Sequence, residues 1–173
     1  MVHGAAEVAR RIDALAGQIA AKHRDGAPVL VAIAEGAARF AQALERGLRA
    51  RGVEPELISV RVRRSAGGMA LGEPRAETLE PEALAGRAVV IVDDIADEGL
   101  TLREIERQVE VAGARSVERA VLVNKLARRK VRLALDYVGF ELEDGWVVGF
   151  GMDLDGAYRE LDHLALVVES PGD

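Results

Sequence analysis

The chain has 173 residues, 49% of them hydrophobic and 30% charged, with no cysteine, three histidines and a formal net charge of −6. That length and apolar content fit one globular domain and exclude wholesale disorder, while the missing cysteine excludes disulfides, a thiol nucleophile and Cys-ligated metal centres. The acidic surplus argues against a surface that coats nucleic acid, though not against a small anionic substrate carried with a bound cation.

Val8, Ile12, Leu15 and Ile19 recur at helical spacing, which predicts an amphipathic helix over Ala5–Lys22. After Asp25-Gly26 the short apolar run Val29–Ile33 predicts a strand buried on both faces. A helix from about Ala38 to Arg51 stops before Gly52, and Leu57–Val62 is the next strand. Ser65–Pro74 holds three glycines without periodicity and reads as a mobile loop. Ala88–Val92 is the most strand-like run and ends at adjacent carboxylates. Leu102, Ile105, Val109 and Ala112 then mark a helix closed by Gly113, and Val117–Val123 a fourth strand.

Beyond Lys125 the pattern shortens to Tyr137–Phe140, Trp146–Phe150 and Leu164–Val168, which suggests a small subdomain over one sheet edge. Ser170–Asp173 reads as a frayed tail. Strands alternating with helices predict an α/β fold, a parallel sheet flanked by helices on both faces. No apolar run approaches about 20 residues and the N-terminus lacks the order of a signal peptide, so no membrane span and a cytoplasmic address are expected.

In open parallel sheets ligands bind beyond the carboxyl ends of the strands, and VVIVDDIADEGLT (89–101) has that design. An apolar strand delivers Asp93 and Asp94 to the edge, a loop with Gly99 follows, and Thr101 opens a helix. Adjacent carboxylates suit a divalent cation or sugar hydroxyls, and a loop at a helix N-terminus suits a phosphate. Taken alone, the same pattern also fits an acidic turn whose aspartates merely cap.

Residues 89–101 resemble the phosphoribosyl-pyrophosphate motif of type I phosphoribosyltransferases, in which two acids precede an Asp-Thr-Gly-x-Thr loop. LVNKLARRKV (122–131) and DYVGFELEDGWVVGFGMDLDGAYRELDHLALV (136–167) narrow the resemblance to the hypoxanthine-guanine branch. It implies a Rossmann-like core over about 24–135 of a single domain, 1–173, under a small hood formed by the N-terminal helix and about 136–168.

The resemblance further implies transfer of 5-phosphoribosyl to an oxopurine (hypoxanthine, guanine or xanthine), in a homodimer or homotetramer that touches neither nucleic acid nor membrane. Asp97 would be the catalytic carboxylate beside the purine imidazole nitrogen. Donor binding would fall to Asp93, Asp94, Glu98, Gly99, Leu100, Thr101, Glu35, Gly36 and Arg159, with Arg129 bracing the site. Mg2+ would be held by Asp153, Asp93 and Asp94. Lys125 would meet the 6-oxo group, Trp146 would stack on the base, and the Val147 backbone would touch the purine edge. Outside that context Trp146 reads as a ring filling the small subdomain and Lys125 as a surface lysine.

Three departures stand out. Glu98 replaces a phosphate-binding Thr or Ser, Glu35 falls where the family has a basic or neutral residue, and Val62–Gly68 lacks the Ser-Tyr pair of the lid. An acid ~4 Å from a phosphate charge costs about 1 kcal/mol in water-like surroundings and about 4 at an effective dielectric of 20. Two arrangements of Glu98 fit the residues. It points to solvent, with Arg63 and Arg64 adding charge near a phosphate bound by backbone N–H groups. Otherwise it fills the phosphate pocket, and the protein takes a donor lacking the 5′-phosphate or binds purine or nucleotide without catalysis.

Overall fold

Val29–Ala34 and Ala88–Ala96 are buried over most of their length because both are inner strands of one sheet with helices on either face. The computed structural model describes residues 2–67 and 70–167. Its elements are α1 (Ala5–Lys22), β1 (Val29–Ala34), α2 (Ala38–Arg49), β2 (Glu56–Gly67), β3 (Ala70–Ala76), α3 (Pro81–Leu84), β4 (Ala88–Ala96) and α4 (Leu100–Val111). They continue as β5 (Ser116–Lys125), β6 (Tyr137–Leu142), β7 (Trp146–Val148) and β8 (Ala165–Val167).

The main sheet runs β3-β2-β1-β4-β5-β6, parallel except for β3, and β7 pairs antiparallel with β8 in a second small sheet. Val8, Ile12, Leu15 and Ile19 of α1 pack with Phe40, Leu44 and Leu48 of α2 over one face. Leu102, Ile105 and Val109 of α4 join Leu84 of α3 on the other. Since α2 carries the chain from β1 to one side and α4 carries it from β4 to the other, the ends of β1 and β4 form the topological switch point where such sheets bind ligands.

Two expectations change. Within the stretch read as a loop, Ser65–Gly67 and Ala70–Pro74 are strand, since β2 runs on to Gly67 and pairs antiparallel with β3, with a register shift between Arg64 and Ala66. Backbone ladder bonds hold this hairpin at the sheet edge, so its sequence needs no apolar alternation. Tyr137–Phe140 belongs to the main sheet, where Ala120 pairs with Tyr137 and Val123 with Phe140. The connection from β5 to β6 contains no helix, which removed the signal that usually announces a parallel neighbour. Gly68, Val168 and the tail Ser170–Asp173 lie outside the described residues.

Glu118 anchors α1 to β5 from inside the fold. It is 4% exposed, and its carboxylate meets Lys22 Nζ at 2.5 Å, His23 Nε2 at 3.1 Å and the Tyr137 hydroxyl at 2.6 Å. Burial alone would push its pKa up, but the hydrogen bonds from Lys22, Tyr137 and His23 hold it below the ordinary 4.5. A depressed carboxylate contributes stability above its unfolded pKa and loses it as pH falls through the folded one. Urea denaturation should therefore show stability draining away below about pH 4.5. Tyr137→Phe is expected to cost about 1–3 kcal/mol at neutral pH by the same measurement, and an unchanged urea midpoint would contradict this role.

Candidate active site

At the end of β4 the chain must leave the sheet and enter α4 within a few residues. Gly99 makes that turn with φ +83° and, as the N-cap residue, gives α4 no side-chain hydrogen bond. A Cβ at Gly99 would lie 2.7 Å from Leu133 and 2.9 Å from Val131. The turn is packed from behind as well as tightly bent.

Three contiguous cavities open at the switch point. The first, about 360 Å3, is lined by Asp93, Asp94, Asp97, Glu98, Gly99 and Thr101, by Gly36 from the loop after β1, and by Trp146 and Arg128. The second, about 200 Å3, is narrower and lies among Asp97, Lys125, Trp146, Val147 and Asp153, with Ile95 and Met152 supplying apolar wall. The third, about 390 Å3, gathers Glu35, Gly36, Asp153 and Arg159 with Arg61 and Arg63 of β2.

Asp94 lines all three cavities. Desolvation pushes its carboxyl above the ordinary carboxylate range, against hydrogen bonds from Asp93 and the Ile95 amide and the charge of Arg159. The Asp94 amide donates to Asp93 Oδ1 at 3.0 Å, and the Ile95 amide to Asp94 Oδ1 at 2.8 Å. Gly36 sits so close that a Cβ there would overlap the Asp94 carboxylate. The peptide bond Ala34–Glu35 just before it is cis.

Asp97 divides its two oxygens. Oδ2 lies 3.3 Å from Lys125 Nζ and 3.5 Å from Arg128 Nη1, while Oδ1 is buried with no hydrogen-bond partner among the described residues. A buried acceptor left unpaired is costly unless a ligand supplies the donor. Lys125 is no surface residue: it is 3% exposed, and its second carboxylate neighbour is Asp144 at 3.7 Å. Trp146 is no plug either. The residue is 54% exposed, and its ring is tied by Nε1 to the Asp153 carbonyl at 3.2 Å, at the shared wall of the first two cavities.

Asp153 accepts from the Gly156 amide at 2.7 Å and from Arg159 Nη2 at 2.9 Å. Arg159 also stands 4.0 Å from Glu35, whose side chain is mostly exposed. Leu100, the first residue of α4, lines none of these three cavities but a separate depression with Arg103, Glu104 and Arg107.

Glu98 does not point to solvent. Its side chain is 10% exposed and its Oε1 lies 2.5 Å from Lys130 Nζ. Sequence reasoning passed over Lys130, Arg128 and Arg61. The run Arg128-Arg129-Lys130 was visible, but nothing local shows that it folds back onto the loop after β4. The side chain of Arg64 lies outside the described residues.

The family model for the phosphoribosyl transferase domain matches residues 2–155. The chain is 30% identical over 167 residues to hypoxanthine phosphoribosyltransferase of Salmonella typhimurium, covering 94% of this chain and 92% of that protein. It is 26% identical over 163 residues to hypoxanthine-guanine phosphoribosyltransferase of Bacillus subtilis, covering 93% and 88%. Among solved structures it is similar to hypoxanthine phosphoribosyltransferase of Trypanosoma cruzi, with TM-score 0.87, 25% identity and 97% and 90% of the two chains covered. A hypoxanthine-guanine phosphoribosyltransferase of Bacillus anthracis is similar with TM-score 0.82, 27% identity and 97% of each chain covered. The chain belongs to the type I phosphoribosyltransferase family, in its hypoxanthine-guanine branch.

Proposed function

We propose that the protein transfers the 5-phosphoribosyl group of phosphoribosyl pyrophosphate to an oxopurine, releasing pyrophosphate and a nucleoside monophosphate. One observation carries the reading. The unpaired oxygen of Asp97, the buried ammonium of Lys125 and the exposed ring of Trp146 converge on one small cavity that opens onto the uncapped loop of β4.

In this reading a planar base enters the 200 Å3 cavity against Trp146, with Ile95 and Met152 as the apolar wall. The Lys125 ammonium donates to the 6-oxo oxygen. An amino group there would leave the buried cation facing a donor, which selects against adenine. Asp97 Oδ1 accepts the proton of the imidazole nitrogen as the other ring nitrogen attacks the anomeric carbon and the bond to pyrophosphate breaks. Lys125 and Arg128 hold the other oxygen, so the carboxylate keeps one orientation. The loop 97–101 takes the 5′-phosphate and Asp93 and Asp94 the ribose hydroxyls. Arg159, with Arg61 and Arg63 along the third cavity, faces the pyrophosphate.

Among the described residues no group of three or more His, Cys, Asp or Glu side chains is assembled for a metal. Asp94 and Asp153 border two of the cavities together, and such a pair fits Mg2+, which commonly takes one or two carboxylates and completes its shell with water and substrate phosphates. Asp153 and Asp94 would hold it, Asp93 not joining them in a three-carboxylate group, and when bound it would neutralise charge on the leaving pyrophosphate. The reading includes a homodimer or homotetramer; the Trypanosoma cruzi structure was studied for the role of that enzyme's C-terminal region in its oligomeric state. It also includes a cytoplasmic address; no helix of the described residues is long and apolar enough to cross a membrane.

The direct test is product formation. Wild-type protein with Mg2+, phosphoribosyl pyrophosphate and hypoxanthine, guanine or xanthine should release the nucleoside monophosphate and pyrophosphate, and silence with all three bases would sink the reading. Asp97→Asn should lower kcat by about 10²- to 10⁴-fold in a steady-state assay. Lys125→Met should lower kcat/KM for hypoxanthine by about 10- to 100-fold and narrow the preference over adenine. An unaltered base preference would remove Lys125 from recognition.

A further inference from the structure

Three consecutive cations between β5 and β6 engage the last residue of β4 and the first two of the loop after it. Arg129 donates to the Ala96 carbonyl at 3.1 Å and to the Asp97 carbonyl at 3.0 Å. Arg128 reaches the Asp97 carboxylate at 3.5 Å. The Lys130 amide donates to the Glu98 carbonyl at 3.0 Å, and its ammonium meets the Glu98 carboxylate at 2.5 Å.

The last pair is asymmetric: the Glu98 side chain is 10% exposed and that of Lys130 is 60% exposed. Glu98 lines the first cavity, and its buried carboxylate carries the more exposed Lys130 cation. An unpaired carboxylate would repel a phosphate there, whereas the neutral pair does not. An ammonium has three donors on a flexible stem, enough to donate to the carboxylate and to a phosphate oxygen together. Without Glu98 the same lysine would be free to wander into solvent.

We propose, resting on the phosphoribosyltransferase reading, that Lys130 sets the specificity of this loop for 5′-phosphorylated ligands. Glu98 holds the ammonium at the cleft, and the ammonium binds the phosphate while cancelling the carboxylate. Glu98 is then a holder of the cation rather than a device that excludes the phosphate.

The test measures dissociation constants of inosine 5′-monophosphate, inosine and hypoxanthine by calorimetry, in wild type, Lys130→Met, Lys130→Gln, Glu98→Thr and Glu98→Thr/Lys130→Met. Lys130 is exposed enough that both replacements should keep the fold, which thermal melting checks. Wild type should prefer the nucleotide to the nucleoside, and both Lys130 replacements should cut that preference by about tenfold or more with hypoxanthine binding unchanged. Glu98→Thr added to Lys130→Met should restore most of it, because the stranded carboxylate is gone. Equal binding of nucleotide and nucleoside by wild type, or an unaltered preference in both Lys130 variants, would overturn the proposal. A protein that shows these preferences but forms no product keeps this inference and loses the enzymatic reading. One that binds none of the three compounds loses both.

Discussion

The site depends on a close approach of backbone to carboxylate. β1 and β4 pair in register from Val29 with Val89 to Ala32 with Val92, so both strands end side by side. The loop after β1 is thereby pressed onto the end of β4, and Gly36 touches the Asp94 carboxylate where no side chain would fit. A second approach is stacked on the first: Gly151, with φ +105°, lies against the Gly36 carbonyl so closely that a Cβ would overlap it. That contact brings the segment after β7, with Asp153 and the tethered Trp146 ring, over the cleft. Two glycines and one aspartate thus join three stretches of chain, and Asp94 borders every cavity that results.

Charge is arranged around this junction in neighbouring pairs. Asp97 faces Lys125 and Arg128, Glu98 faces Lys130, and Asp153 and Glu35 share Arg159. Burying the Glu98 carboxylate alone would be strongly unfavourable, and the cation beside it offsets that cost. The chain's excess of acids over bases therefore does not make the proposed donor site repulsive. The cations around the cleft come from β2, from the β5–β6 connection and from the loop after β7. Binding a polyanion would in this way couple distant parts of the chain.

Much of this was legible in the residues, and the rest was hidden for physical reasons. The apolar runs of β1 and β4 announce inner strands because burial on both faces leaves no polar alternation. The acids at the end of β4, with a glycine and a helix behind them, mark a site for the same local reason. Lys125 and Trp146 gained their positions from resemblance, since burial of one and exposure of the other run against what their residue types suggest. The hairpin of β2 and β3 and the place of β6 were missed because backbone pairing, rather than side-chain pattern, holds them. Leu100 lines a separate depression because one step along a helix turns a side chain to another face. Lys130 was missed because its partner lies 32 residues away and only the folded connection brings them together.

The most direct measurement of the central claim is a crystal structure of the wild-type chain with inosine 5′-monophosphate. The account places the base against Trp146 with its 6-oxo oxygen on Lys125 Nζ and its imidazole nitrogen on Asp97 Oδ1. The phosphate lies in the loop from Asp97 to Thr101, within reach of Lys130. A nucleotide bound with its base outside the cavity of Lys125 and Trp146, or with its phosphate turned away from that loop, would contradict it.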